Sequence, residues 1–196
     1  MLTRTLALTL STLGAGVMTA PASAQTIADV VASSGGEFDQ NWFDYDMLLN
    51  AVVAADLVGP LADPDAELTV FAPNDLAFIR LARTLGYEGR DESGAFEFIV
   101  SALTDLGGGD PIPLLTDVLL YHVVDDEINA FEFILLSFFG VPVETLQGGT
   151  FLPRFLFLVD NEPDLPNPTL FFPLNLQTDN GIIHTISRVL IPVDLP

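Results

Sequence analysis

Two hydrophobic periodicities follow one another along this chain, and their order limits the architectures open to it. Apolar residues first recur at helical spacing. Leu48, Ala51, Val52 and Ala55 share one face of a helix predicted from Phe43 to Leu57, and Phe96, Ile99, Val100, Leu103 and Leu106 do the same between Ser93, as N-cap, and Gly107, as stop. A shorter helix is expected over Thr26–Ser33, ended by Gly35-Gly36. Another begins at Pro73-Asn74-Asp75, directly after an apolar strand at Leu68–Phe71, and runs to about Leu85. Pro111 and Pro113 start a further helix through Leu120 that leads into a strand at Tyr121–Val124. From Val143 onward the pattern becomes short apolar runs with turn residues between them: Val143–Leu146, Phe151–Asp160, Leu170–Phe172 and Ile182–Ile191. Helices first and strands later, without regular alternation, predict an α+β fold and not a parallel nucleotide-binding sheet.

Between these regions, Phe131–Phe139 is apolar all round, which suits a buried helix better than an exposed one. Most of it is expected to pack in the core. Any part of Phe138 and Phe139 left in solvent, with Phe171 or Phe172, would mark a partner surface.

The first residues carry a different signature. Met1-Leu2-Thr3-Arg4 precedes an apolar stretch from Leu6 to about Val17, and Ala22-Ser23-Ala24 is a small-x-small cleavage pattern. Thr9, Ser11, Thr12 and Gly14 interrupt the run and Pro21 ends it, short of the roughly 18 apolar residues a membrane span needs. Residues 1–24 are therefore expected to be a signal peptide, cleaved near Ala24. Residues 25–196 are expected to form a single domain, secreted or kept in the periplasm or at the cell surface, without direct membrane insertion. The chain has no cysteine, so no disulfide, thiolate metal site or cysteine nucleophile is available to it. This suits a bacterial exported domain better than a small animal extracellular module.

Charge narrows the partners. The chain has 27 acidic residues and a formal net charge of −21. Lysine is absent, and beyond the leader the cations are Arg80, Arg83, Arg90, Arg154 and Arg188. A field of this sign repels nucleic acid and anionic lipid and favours cations or basic protein patches; it also keeps an exported protein soluble.

Three segments, in this order, carry a resemblance: Thr69-Val70-Phe71-Ala72-Pro73-Asn74-Asp75-Leu76-Ala77-Phe78; Leu119-Leu120-Tyr121-His122-Val123-Val124; and Asn180-Gly181-Ile182-Ile183-His184-Thr185-Ile186 continuing to Pro192. They resemble the first, tyrosine–histidine and second signature segments of the fasciclin-domain family, and Thr145-Leu146-Gln147-Gly148-Gly149 resembles the family's hairpin. Asn74, Leu76 and Ser187 depart from the usual residues, Asp125-Asp126-Glu127 replaces a glycine-containing turn, and Arg90–Pro113 is long enough to hold an added helix. The resemblance implies a wedge-shaped β-sandwich beside packed helices. It also implies a non-catalytic, extracytoplasmic adhesion or protein-interaction module without cofactor. Its partner would be a cell-surface or extracellular-matrix protein or a polysaccharide, and self-association is compatible with it. A carbohydrate- or matrix-polymer-binding module is the alternative, and a hydrolase stands third. By the same resemblance, Tyr121, His122, Asn74 and Asp75 are candidate binding residues, and Thr69, Phe71, Pro73, Phe78, Asn180, Gly181, His184 and Pro192 are structural motif positions.

Read as chemistry, the residues point away from catalysis. His122 and His184 are the only histidines and lack metal-ligand spacing, so no metal site is expected. Asp160-Asn161-Glu162-Pro163-Asp164 offers oxygens without the ligand order of an EF-hand loop. No nucleophile elbow is present, and the adjacent acids Asp125-Asp126-Glu127 suit a solvated loop better than a pair facing each other across a cleft. His122 is expected to be buried and paired with Asn74 or Asp75, and Tyr121 to be a core ring whose hydroxyl finds a partner.

Overall fold

The structure, a computed structural model, describes residues 25–34 and 36–193; the predicted leader and Gly35 lie outside them. Helices α1 (Ile27–Ser33), α2 (Asp46–Ala54) and α3 (Val58–Leu61) precede β1 (Leu68–Pro73). There follow α4 (Asp75–Thr84), α5 (Glu92–Leu106), α6 (Ile112–Leu120), β2 (Val123–Val124) and α7 (Ala130–Phe139). The chain then runs through β3 (Val143–Glu144), β4 (Thr150–Arg154), β5 (Phe157–Val159), β6 (Leu170–Thr178) and β7 (Gly181–Ile186). The fold is α+β, as the order of periodicities predicted. Local capping explains where helices start. Thr26 forms a capping box with Asp29 on α1, and Asn129 does so with Glu132 on α7. The cap of α5 is Asp91, whose Oδ1 accepts the Gly94 N–H at 2.8 Å, and not the predicted Ser93. A carboxylate at that position also meets the positive end of the helix. The predicted helix from Phe43 starts only at Asp46, because Trp42–Tyr45 is drawn off to pair with the start of α4.

Four strands form one sheet in the order β2-β1-β7-β6, and three form a second, β3-β4-β5. In the first, β1 and β7 run parallel, from Leu68 beside Gly181 to Pro73 beside Ile186. The first strand of the domain is thus paired with the last described one. Both are buried along their whole length, which accounts for runs that read as continuously apolar. Alternation along β1 divides the interior. Leu68, Val70 and Ala72 face the core shared with the helices, including Met47, Phe78 and Leu119. Phe71 faces the other way, meeting Phe151 of β4 edge-on at 5.2 Å and Phe133 of α7 at 5.7 Å between ring centroids. Phe71 therefore joins the two sheets and α7.

Gly181 is required by the β1–β7 approach. Its φ is +147°, and a Cβ there would lie 1.9 Å from the Leu68 carbonyl oxygen. Among the described residues no helix is long and apolar enough to cross a membrane.

Candidate functional site

The four predicted binding residues are all buried. Asn74 caps α4, its Oδ1 accepting the Ala77 N–H at 3.1 Å. Tyr121 donates its hydroxyl to the Thr150 carbonyl at 2.7 Å, and burial pushes its pKa up. His122 does not pair with Asn74 or Asp75 as expected. Its Nδ1 lies 2.7 Å from the Val118 carbonyl, and its Nε2 accepts the Leu190 N–H at 2.8 Å. The reason is local: His122 follows the end of α6, where the Val118 carbonyl has lost its helical partner, whereas Asn74 and Asp75 are occupied at helix starts. His184 is held in a similar way, between the Ile128 carbonyl at 2.8 Å and the Asn175 N–H at 3.3 Å, with its ring stacked on Phe71 at 5.6 Å.

The structural motif positions tie remote segments together. Thr69 Oγ1 donates to the Asp126 carbonyl at 2.6 Å and accepts the Ile128 N–H at 2.7 Å. Asn180 accepts the Ile27 N–H at 2.9 Å and donates to the carbonyls of Leu61 at 3.0 Å and Asp63 at 2.8 Å. Pro73 ends β1, Phe78 lies in the helix-side core, and the Pro192 carbonyl accepts from Asn161 at 3.1 Å. The Thr145–Gly149 hairpin closes through Thr145 N–H and Oγ1, both to the Gly149 carbonyl. In the Asp160–Asp164 stretch, Asp160 accepts the Ile191 N–H at 2.9 Å and the Glu162 N–H at 3.3 Å. That carboxylate serves the backbone.

One feature was not foreseen from the sequence, and a second came out against the expectation of core packing. The first is a group of carboxylates where the N-termini of α2, α4 and α5 converge. Asp75, the first residue of α4, reaches across to the start of α2 and accepts the N–H groups of Met47 at 2.8 Å and Asp46 at 3.2 Å. In return, Asp75 N–H donates to the Asp44 carbonyl at 3.1 Å and Leu76 N–H to that of Trp42 at 2.8 Å. Asp44 holds Asn41 Nδ2 at 2.8 Å through Oδ2, Asp46 holds the Gly36 N–H through Oδ1, and Glu92 holds the Asp39 N–H at 2.7 Å through Oε2. Their other oxygens, Asp44 Oδ1, Asp46 Oδ2 and Glu92 Oε1, are buried without a hydrogen-bond partner. Burial and the neighbouring Asp44 and Glu92 carboxylates raise Asp75 to about 9, and burial followed by acidic neighbours raises Asp46 and Glu92. The only sequence signal was positional: Asp46, Asp75 and Glu92 each open a helix, where a carboxylate reads as a simple dipole partner.

The second feature corrects the expectation for Phe131–Phe139. Phe133 is buried and Leu136 packs beside it, but Phe131, Phe138 and Phe139 are 73%, 83% and 69% exposed. Phe131, Leu135 and Phe138 recur at one-turn intervals, so they form a stripe along the outer side of α7. Only one side of a helix can face a core, and the stretch carries enough apolar residues for both. Phe172 is also exposed, and Phe171 stacks on the exposed Phe43 at 6.4 Å.

A sheet containing the parallel β1–β7 pair, a second sheet joined to it through Phe71, and helices over the other face define a FAS1 adhesion/interaction-type module. The chain belongs to the fasciclin-domain family, whose model matches residues 43–192. It is 30% identical over 147 residues, 75% of its length and 89% of the relative's, to a protein of Synechocystis sp. described as uncharacterized. It is also similar in fold to a solved FAS1 domain pair from the insect cell adhesion molecule fasciclin I, with a TM-score of 0.55 and 14% identity over 85% of this chain. The chain spans 51% of that structure's length, about half of it.

Proposed function

We propose that residues 25–196 act as a single exported, non-catalytic adhesion domain, released from a signal peptide at residues 1–24, that holds a protein on the cell surface or in the surrounding matrix. The observation that carries this reading is the phenylalanine stripe of α7, which a soluble domain would otherwise bury. The chain's net charge of −21 favours a partner with a basic rim and steers encounter with it. Buried as they are, Asn74, Asp75, Tyr121 and His122 serve recognition only through the frame that they hold together. Display of many copies, or self-association, compensates for weak single contacts.

The test is binding of the labelled mature chain to envelope preparations of the producing organism, alongside a Phe131→Ser/Phe138→Ser variant. Saturable binding that the variant loses supports the proposal. Equal binding by both, or saturable binding to purified polysaccharide alone, overturns it in favour of polymer recognition. Product release from ester or glycoside substrates would revive a hydrolase.

A further inference from the structure

We propose that the carboxylates of Asp39, Asp44, Asp46, Asp75 and Glu92 form a binding site for one divalent cation, calcium by preference, that locks the segment before α2 to the starts of α4 and α5. The site is independent of the adhesion reading and of the two histidines. One carboxylate oxygen each from Asp44, Asp75 and Glu92 lies within 4.8 Å of the others, and the same holds for Asp39, Asp46 and Glu92. Glu92 is common to both groups. A calcium ion holds oxygens at about 2.3–2.6 Å, so ligands on opposite sides of it stand about 5 Å apart. The smaller magnesium ion, at about 2.1 Å and with strict octahedral demands, fits this spacing less well.

Crowded acids alone do not make a site. The second observation is the three orphaned oxygens. Asp44, Asp46 and Glu92 are 8%, 1% and 1% exposed, and each has one oxygen anchored by an amide group while the other is buried with no donor. A buried carboxylate oxygen without a partner is costly. Here the amide bonds hold one oxygen of each side chain in place, as the outer hydrogen bonds of a metal site orient its ligands, and leave the other free to bind. Among the described residues, the hydrogen bonds that meet these five carboxylates come from backbone amides, from Asn41 and from the contact that the Asp75 and Asp44 carboxyls make with each other; no arginine neutralises them. Asp39 is exposed and marks the side from which an ion enters.

The experiment is calorimetric titration of the chelator-stripped chain with calcium chloride at constant ionic strength and pH 8. Thermal melts run in parallel, with terbium luminescence sensitised by Trp42, the only tryptophan and two residues from Asp44. The expected result is one ion per chain with Kd below about 1 mM, a Tm that rises with calcium by mass action, and proton release on binding. Glu92→Gln should weaken binding by at least about ten-fold. It should also raise the melting temperature of the calcium-free chain, since it removes a buried unpaired charge. If that variant fails to fold, Asp39→Asn, an exposed change, must weaken binding instead. Asp125→Asn/Asp126→Asn, on an exposed acidic turn, must leave it intact. Three results would overturn the site: no heat and no Tm shift up to about 10 mM calcium, the same shift from sodium chloride of matched ionic strength, or an undiminished response in Glu92→Gln or Asp39→Asn.

Discussion

The imidazole of His122 accepts the backbone N–H of Leu190 at 2.8 Å, a bond between residues 68 apart in the chain. With the Val118 carbonyl at 2.7 Å from Nδ1, the ring is set as the neutral tautomer that carries its proton on Nδ1. Protonating Nε2 would expel the Leu190 N–H. Full burial pushes the His122 pKa down to about 4, below its ordinary 6.5. Because the folded value is the lower one, this stabilisation is complete above about pH 6.5 and is lost as the pH falls toward 4; the shift corresponds to about 3 kcal/mol. The measurement is the difference in urea-unfolding free energy between the wild type and His122→Gln, whose side chain hydrogen-bonds without titrating. That difference should move against the wild type by about this amount from pH 6.5 to pH 4. A constant difference would remove the argument.

Asn180 joins β7 to both α1 and the turn after α3 through one side chain. Asn180→Asp keeps the shape but sets a carboxylate against the carbonyls of Leu61 and Asp63, where two N–H donors had been. A loss of about 3 kcal/mol is expected at neutral pH, partly recovered in acid as the new group protonates. Chemical denaturation at pH 7 and pH 4 reads both parts.

Gly181→Ala should be among the most damaging single changes in the chain. The added methyl would sit 1.9 Å from the Leu68 carbonyl oxygen, and the backbone φ of +147° is itself unfavourable to alanine. With backbone on both sides, neither strand can yield alone. The expected cost is at least about 4 kcal/mol, a fall in Tm on the order of 10 °C. A melt within a few degrees of wild type would show that β1 and β7 are not so closely paired.

For the α7 stripe the expected signs are opposite. Phe131→Ser and Phe138→Ser alter exposed residues, so each should change stability by no more than about 0.5 kcal/mol while reducing envelope binding and dye-detected apolar surface. Phe133→Ser, two positions from Phe131 and wholly buried, should cost about 3–5 kcal/mol. Melting curves of the three variants separate the two sides of one helix.

Much of the frame was legible in the residues. Asn74 reads as a cap because Pro73 ends an apolar strand just before it, and the buried ring of Tyr121 follows from its apolar neighbours. The partners of His122 were not legible, since the Leu190 N–H reaches it through tertiary packing and leaves no trace in local spacing. The phase of Phe131–Phe139 was hidden because every phase of that stretch is apolar; only the fold decides that Phe133 turns inward. The acidic group was the least accessible. Its members lie in the segment before α2 and at the first positions of α2, α4 and α5, each with an adequate local explanation, and only the fold brings Glu92 beside Asp44 and Asp46.

The parallel pairing of β1 with β7 also sets an order of events. The strand that fills the place between β1 and β6 is made last among the described strands. Until it arrives, β1 lacks one of its two neighbours, Phe71 has no His184 to stack on, and α1 has no Asn180 to tie it down. The domain therefore stays without a finished core until β7 has been synthesised, and its folding must wait on contacts between distant segments.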